Sequence, residues 1–460
     1  MECRLSVGQE ALLFLHHMAP ESAAYNVSCA VRVHSPLDVA TLARAATMMA
    51  QRHDLLRSTF AETGGQLCRV VGDPGLFEIE IRDVPGIDDG ALLALVRQEV
   101  ARPFRLAESG AARLVLLRRG PSDAALVPVA HHVAMDFPSL MLVLRELLDA
   151  YPAVLSGDSP RWAPITSTYA DFVARERALL DSPRAGELAN YWREVCRDLP
   201  PVLNLPTDRA RPARQGFRGW AHRFTLPADL VARLTSAARS SEVTPARYLF
   251  AVFQSLLYRY TRQPDFLVGG AVVSSFGLLR RGVPGHYTNT VPLRARFTPA
   301  TTFREVAGEV NRQVADGLAH RDYPFAMLPA ALGLPGGPAT SPLLRVMTSV
   351  VATRRSNPLL ELAVGNAEMT YRGTRLSAID VPQQAGQFDL TLEVVRSASA
   401  VRCSLKYDTD LFDERTVCGM AGHFVRLLRV ATAAPDRGVA DVSMVDETER
   451  KRLLAFATGS

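Results

Sequence analysis

The residues best suited to chemistry are His131, His132 and Asp136, in the run His131-His132-Val133-Ala134-Met135-Asp136-Phe137-Pro138. An apolar, strand-like stretch (125–130) precedes them. A helical stripe of Leu140, Val143, Leu144, Leu147 and Leu148 follows. Loops held between rigid elements are where reactive groups sit. A neutral imidazole there accepts a proton near neutral pH. Neighbouring residues on an extended segment point to opposite sides. One histidine can therefore face a cavity while the other packs within its own half of the fold. Asp136 has three open roles: orienting a histidine, capping the helix, or holding an arginine from elsewhere. A plainer reading of the same residues is a capped helix beside hydrogen-bonded core histidines.

Other chemistries have weaker support. His131, His132 and Asp136 are donor types for zinc or iron, but adjacent histidines diverge and no H-E-x-x-H helix or cysteine cluster assists them. His16-His17 lies at no strand–loop–helix junction and is assigned no chemistry. There is no G-x-S-x-G, and no cysteine in a nucleophile frame. Gly269-Gly270 follows a strand-like run, but neither G-x-G-x-x-G nor G-x-x-x-x-G-K is present, which argues against nucleotide binding.

The elements that must position these residues alternate between strand and helix, so the class is α/β or α+β. Strands are expected at 26–34, 113–119, 125–130, 265–274 and 343–352, with a hairpin from 387–398 and 401–408. Helices are expected at 37–51, 139–151, 245–261 (Thr244 as cap, Pro245 at N1), 302–318 and from a cap at Asp413 to about 431. The segment 222–241 echoes 31–50: strand, proline turn, acidic start, amphipathic helix. Between them, 181–216 is rich in proline and arginine, poor in periodicity, and reads as a connection between two lobes.

At 460 residues, with 48% hydrophobic and 22% charged, the chain suits two lobes. The net charge of +5, from 52 basic and 47 acidic residues, does not argue for nucleic acid. No apolar run is long enough to span a membrane, and residues 1–20 are not a secretory signal, so the expected location is cytoplasmic. The six cysteines are scattered and read as incidental thiols.

An ordered set of segments resembles the condensation domains of nonribosomal peptide synthetases, in the chloramphenicol-acetyltransferase-like superfamily. These are LSVGQEALLFL (5–15) with Pro20 and Tyr25-Asn26, RHDLLRSTF (52–60), HHVAMDF (131–137) and YADFVARER from Tyr169. LPTDRARP (205–212), GHYTNTVPLR (285–294), HRDYPFAML (320–328), QFDLTLEV (387–394) and LKYDTDLF (405–412) follow. The resemblance covers about residues 5–455, and HHVAMDF matches HHxxxDG except at its last position.

The resemblance implies an α+β sandwich fold: two acetyltransferase-like lobes in a V, with the active site in a tunnel between them. The lobes would be 1–180 and 217–450, joined by 181–216, with 451–460 leading toward a downstream adenylation domain. It implies amide formation, by transfer of an acyl or peptidyl group from a donor carrier-protein thioester to the α-amine of an aminoacyl acceptor. Both substrates would ride on phosphopantetheine arms, and the domain itself would bind no cofactor, metal, nucleic acid or membrane. His132 matches the catalytic histidine, His131 the structural one, and Asp136 the aspartate that pairs with an arginine, for which Arg294 is the best match. Arg57 and Asn289 match supporting positions. Gln387 and Asp389 are expected where the second lobe reaches over the tunnel.

Phe137 replaces the usual glycine and is expected to narrow the tunnel or select the acceptor. The tryptophan of the opening motif is Leu13 or Phe14 here. Heterocyclising relatives carry DxxxxD, absent at 131–136. Epimerising relatives carry later motifs not seen here. Recruiting, non-catalytic relatives usually have a damaged HHxxxD. A natural start at Met1 would make this a starter type that N-acylates the first amino acid; otherwise the donor comes from an upstream module.

Overall fold

The computed structural model describes residues 2–198, 200, 202–278, 282–334, 343–352, 358–364, 368–381, 386–396, 400–445 and 450. The expected lead into a further domain (451–460) lies outside them.

Two sheets built on one plan organise the chain. In the first half, strand Ala30–Val33 lies antiparallel to Asp123–His131, which forms a hairpin with Ala112–Gly120, which in turn runs parallel to Ile79–Asp83. In the second half, Gly219–Thr225 lies antiparallel to Val401–Asp408, which forms a hairpin with Leu390–Arg396, which runs parallel to Val346–Ala352. Each first strand leads into a helix, Val39–Arg52 or Ala228–Ser240. Each last strand leads into a long one, Phe137–Leu155 or Glu414–Ala433. The echo between 31–50 and 222–241 is thus a repeated strand–helix unit. Asp265–Val273 and Thr288–Arg296 extend the second sheet.

Side-chain alternation separates core from cavity. On Leu390–Arg396 and Val401–Asp408, Leu390, Leu392, Val394, Val401, Cys403 and Leu405 pack into the second core. Their neighbours Thr391, Glu393, Val395, Arg402, Ser404 and Lys406 face the space between the lobes. A period of two on a pleated strand produces this division.

Two features depart from the expected boundaries. Hairpin Glu368–Tyr371 and Thr374–Ile379 belongs by chain position to the second lobe but completes the first lobe's sheet, Leu376 opposite Val33 and Ile379 opposite Ala30. Without it Ala30–Val33 would present an unpaired edge. The connection 181–216 begins as a helix, Pro183–Val195, which buries Leu188 and Trp192 beside Leu267, Val291 and Leu293. Those two residues are four apart and share a helix face.

Arg294 fastens this connection. Its guanidinium pairs with Asp265 at 2.7–2.8 Å and donates to the carbonyls of Val195, Arg197 and Asp198. Arg294→Met should remove the ion pair and leave three carbonyls unserved. The expected loss is about 2–3 kcal/mol, less than for a fully buried pair because Asp265 is partly exposed. Urea denaturation read by tryptophan fluorescence checks this; an unchanged midpoint would contradict it.

Candidate active site

Strand Asp123–His131 ends at His131, opposite Asn26. The chain then turns through His132–Met135 into helix Phe137–Leu155, with Asp136 as its N-cap. His131 is buried; its Nδ1 accepts from Val133 N–H at 3.1 Å, and its ring packs near His16, Tyr25 and Phe104. Burial holds it neutral, well below the ordinary imidazole range. His16, assigned no chemistry, is thus packing for His131.

The His132 ring turns the other way, into a cavity of about 610 Å³ walled by both halves of the chain. Its backbone N–H donates to Tyr25 O at 2.8 Å. Its Nδ1 lies 3.2 Å from Met135 O. A carbonyl only accepts, so this contact puts the hydrogen on Nδ1 and leaves Nε2 with its lone pair. Burial lowers the His132 pKa below 6.5, with Lys406 adding to the effect; Asp136 and Met135 O oppose it. At neutral pH the ring is a neutral base.

Asp136 resolves to one of its three roles. One carboxylate oxygen accepts from Ser139 N–H at 3.0 Å, closing the helix N-terminus. The other accepts from Tyr287 N–H at 3.2 Å and Thr288 Oγ1 at 3.3 Å, in the other half of the fold. Among the described residues it forms no ion pair. The expected Asp136–Arg294 pair is therefore corrected: Arg294 is committed to Asp265 and the connecting helix. Gly285 completes the junction. Its O accepts from Asp136 N–H and Ser139 Oγ, and its N–H donates back to Ser139 Oγ. A Cβ at Gly285 would run into the Tyr169 ring, so only glycine fits here.

The remaining expected positions fall into two groups. Phe137 and Gln387 line the cavity, and Gln387 Nε2 reaches across to Ala24 O at 2.8 Å. Asn289 also lines it and fastens a loop, donating to the carbonyls of Arg321 and Tyr323 and accepting from Phe325 N–H. Arg57 ties its own turn together through Ala50 O and Gly72 O, away from the cavity. Asp389, expected at the tunnel, is instead buried in an ion pair with Arg211; its neighbour Phe388 lines the cavity. Both precede strand Leu390–Arg396, in a run of bends where side-chain direction follows no regular alternation.

Three cavity residues carry no signal of their own in the sequence motifs above. Lys406 and Glu393 pair at 2.7 Å on the second sheet. His286 brings its Nδ1 to 3.2 Å from that of His132. A histidine directly after the motif glycine, in GHYTNT, is the one available hint.

Two half-chains on one plan, with the loops of His132 and His286 facing the cavity between them, define a two-lobed acyltransferase-like fold whose cavity is lined by imidazoles. The condensation-domain family model matches residues 2–454, and the chain belongs to that family. It is 31% identical to a linear gramicidin synthase of Brevibacillus parabrevis over 98% of its length, and 31% identical over 98% to phosphinothricin tripeptide synthetase PhsC of Streptomyces viridochromogenes. It spans 6% and 41% of those proteins, respectively. The X-domain from teicoplanin biosynthesis superposes with a TM-score of 0.84 at 26% identity, covering 96% of this chain and 97% of that one.

Replacing Asp136 separates capping from the contact across the halves. Asp136→Ala should lose the cap and both contacts to Tyr287 and Thr288, about 2–3 kcal/mol in all. Asp136→Asn keeps the cap through its one amide oxygen but turns a donor toward Tyr287 N–H, so it should recover only the capping share, about 1 kcal/mol. Thermal unfolding of the two variants decides; an Asn variant as stable as the parent would mean that the contacts to Tyr287 and Thr288 contribute nothing.

Proposed function

We propose that this domain forms an amide between two carrier-bound thioesters, with His132 as the proton acceptor. The observation that carries this reading is the free Nε2 lone pair of His132 on a ring lining a cavity shared by both lobes. The acceptor α-amine attacks the donor thioester carbonyl, forming the C–N bond. The nitrogen gives up its proton to Nε2, the tetrahedral intermediate collapses, the C–S bond breaks, and the departing thiolate takes the proton back. A cavity of this size has room for the ends of two pantetheine arms. Donor and acceptor carrier proteins are the partners on this reading, and an adenylation domain of the same synthetase charges the acceptor.

His132→Ala should lose more than about a hundredfold in amide formation while staying folded. In the intact domain the rate should be level at pH 7 and above. Below pH 6.5 it should fall as Nε2 becomes protonated, because burial sets the pKa lower than that of a free imidazole. Mass spectrometry with acyl, aminoacyl and peptidyl donors on carrier proteins, plus an aminoacyl acceptor, measures both. The best donor separates a starter domain from an elongating one. No product with any donor, from a folded domain that still binds carrier, would overturn the reading and favour a recruiting role.

Phe137 occupies the first helical position beside His132 and fills part of the cavity. Phe137→Gly should raise kcat/KM for bulky acceptors relative to small ones by about tenfold. It should weaken the helix start by about 1 kcal/mol. Competition between a small and a large aminoacyl acceptor reads the ratio; no change would place Phe137 outside the acceptor path.

A further inference from the structure

His286 comes from the second half of the chain but is held by three elements of the first. Its ring meets that of His132 edge to face, centroids 4.7 Å apart. Its backbone O accepts from Tyr169 OH at 3.0 Å, and Tyr169 OH also contacts Ser6 Oγ. Its Nε2 edge lies against Gly8, where an added Cβ would sit 3.0 Å from Nε2 and 3.1 Å from Cδ2. A glycine at position 8 thus leaves the space this imidazole fills.

The Nδ1–Nδ1 contact of 3.2 Å has a definite polarity. Two neutral imidazoles facing through Nδ1 need one donor and one acceptor. Met135 O requires the hydrogen on His132 Nδ1. His286 therefore carries its own hydrogen on Nε2 and offers a lone pair to the same N–H. We propose that His286 is a positioning residue of the reaction: it accepts from His132 Nδ1–H, keeps Nε2 as the proton acceptor, and stabilises the imidazolium that forms when the amine's proton arrives. This rests on the role given to His132 above. The charged and titratable groups around the pair are Asp136 on the loop of His132, the Lys406–Glu393 pair on the second sheet, His131, and Tyr169; helix Val7–Met18 presents the uncharged Gly8.

The test is a ¹⁵N NMR titration of the His132 ring in the whole domain, for the parent, His286→Phe and His286→Asn, with amide formation assayed alongside. In the parent, His132 should hold its hydrogen on Nδ1. In His286→Phe, which keeps a ring but offers no acceptor, the His132 pKa should fall by about one unit. kcat should drop about tenfold, with the acceptor KM within about twofold. His286→Asn restores an acceptor and should recover most of both. A residue that only packs would not split Phe from Asn nor move the titration, and identical His132 titration in parent and Phe variant would overturn the proposal. Should both variants unfold, Gly8→Ala presses on His286 without touching His132; an unchanged His132 titration there would also overturn it. The titration needs no turnover. A coupled pair in a domain that makes no product would sink the condensation reading while leaving the pair in place.

Discussion

The N-terminus of helix Phe137–Leu155 is docked onto the backbone of the opposite half-chain, and the site depends on that contact. Asp136 and Ser139 exchange hydrogen bonds with Gly285, Tyr287 and Thr288. Each partner on the far side is a backbone group or a short side chain, so the distance between halves is fixed by bond lengths rather than by flexible arms. Such a joint suits a reaction whose two substrates must meet within about an ångström of the right geometry. It also explains the crowding around Gly285, where the Tyr169 and Tyr287 rings leave no room for a side chain.

The repeated plan makes the chemistry asymmetric. The counterpart of the His132–Asp136 loop in the second half is Thr409–Asp413, between strand Val401–Asp408 and helix Glu414–Ala433. It keeps an aspartate, Asp413, at the N-cap position, but that side chain makes no capping hydrogen bond; the loop has no histidine, and its carboxylates pair with Arg209 and Arg218. One copy of the loop turns a histidine into the cavity; the other ties down the connection between lobes. The second half supplies instead the wall that faces His132, with Lys406, Glu393 and His286.

Much of this was legible in the sequence, because local rules and tertiary demands agree there. Thr244-Pro245 starts its helix as the residues imply, and Leu140 to Leu148 bury the stripe they define. The position of His132 at a strand-to-helix junction held the central clue. What sequence could not carry was pairing over long separations. Nothing in Arg294 distinguishes Asp136 from Asp265 as its partner; the register of two adjacent strands does, placing Arg294 opposite Leu267 and near Asp265. Asp389 and Phe388 lie in the bends just before strand Leu390–Arg396, where no periodic pattern marks which of two neighbours turns to the cavity. The hairpin Glu368–Tyr371 and Thr374–Ile379 joins the first sheet because an edge needed covering, a demand that arises only once the sheet exists.

The backbone partners of Asp136 bear on how the base is tuned. An arginine at that carboxylate would cancel its field at His132. Hydrogen bonds from N–H and hydroxyl groups satisfy it while leaving its charge unopposed. That charge favours the imidazolium, as does Met135 O, whereas burial and Lys406 favour the neutral ring. In the role proposed for it, His132 has to be neutral before the amine arrives and able to hold a proton for the lifetime of a tetrahedral intermediate. Burial alone would meet the first requirement and fail the second. The charge of Asp136 and the carbonyl of Met135 work toward the second against burial, and Glu393, by pairing with Lys406 at 2.7 Å, moderates the ammonium's share of the field.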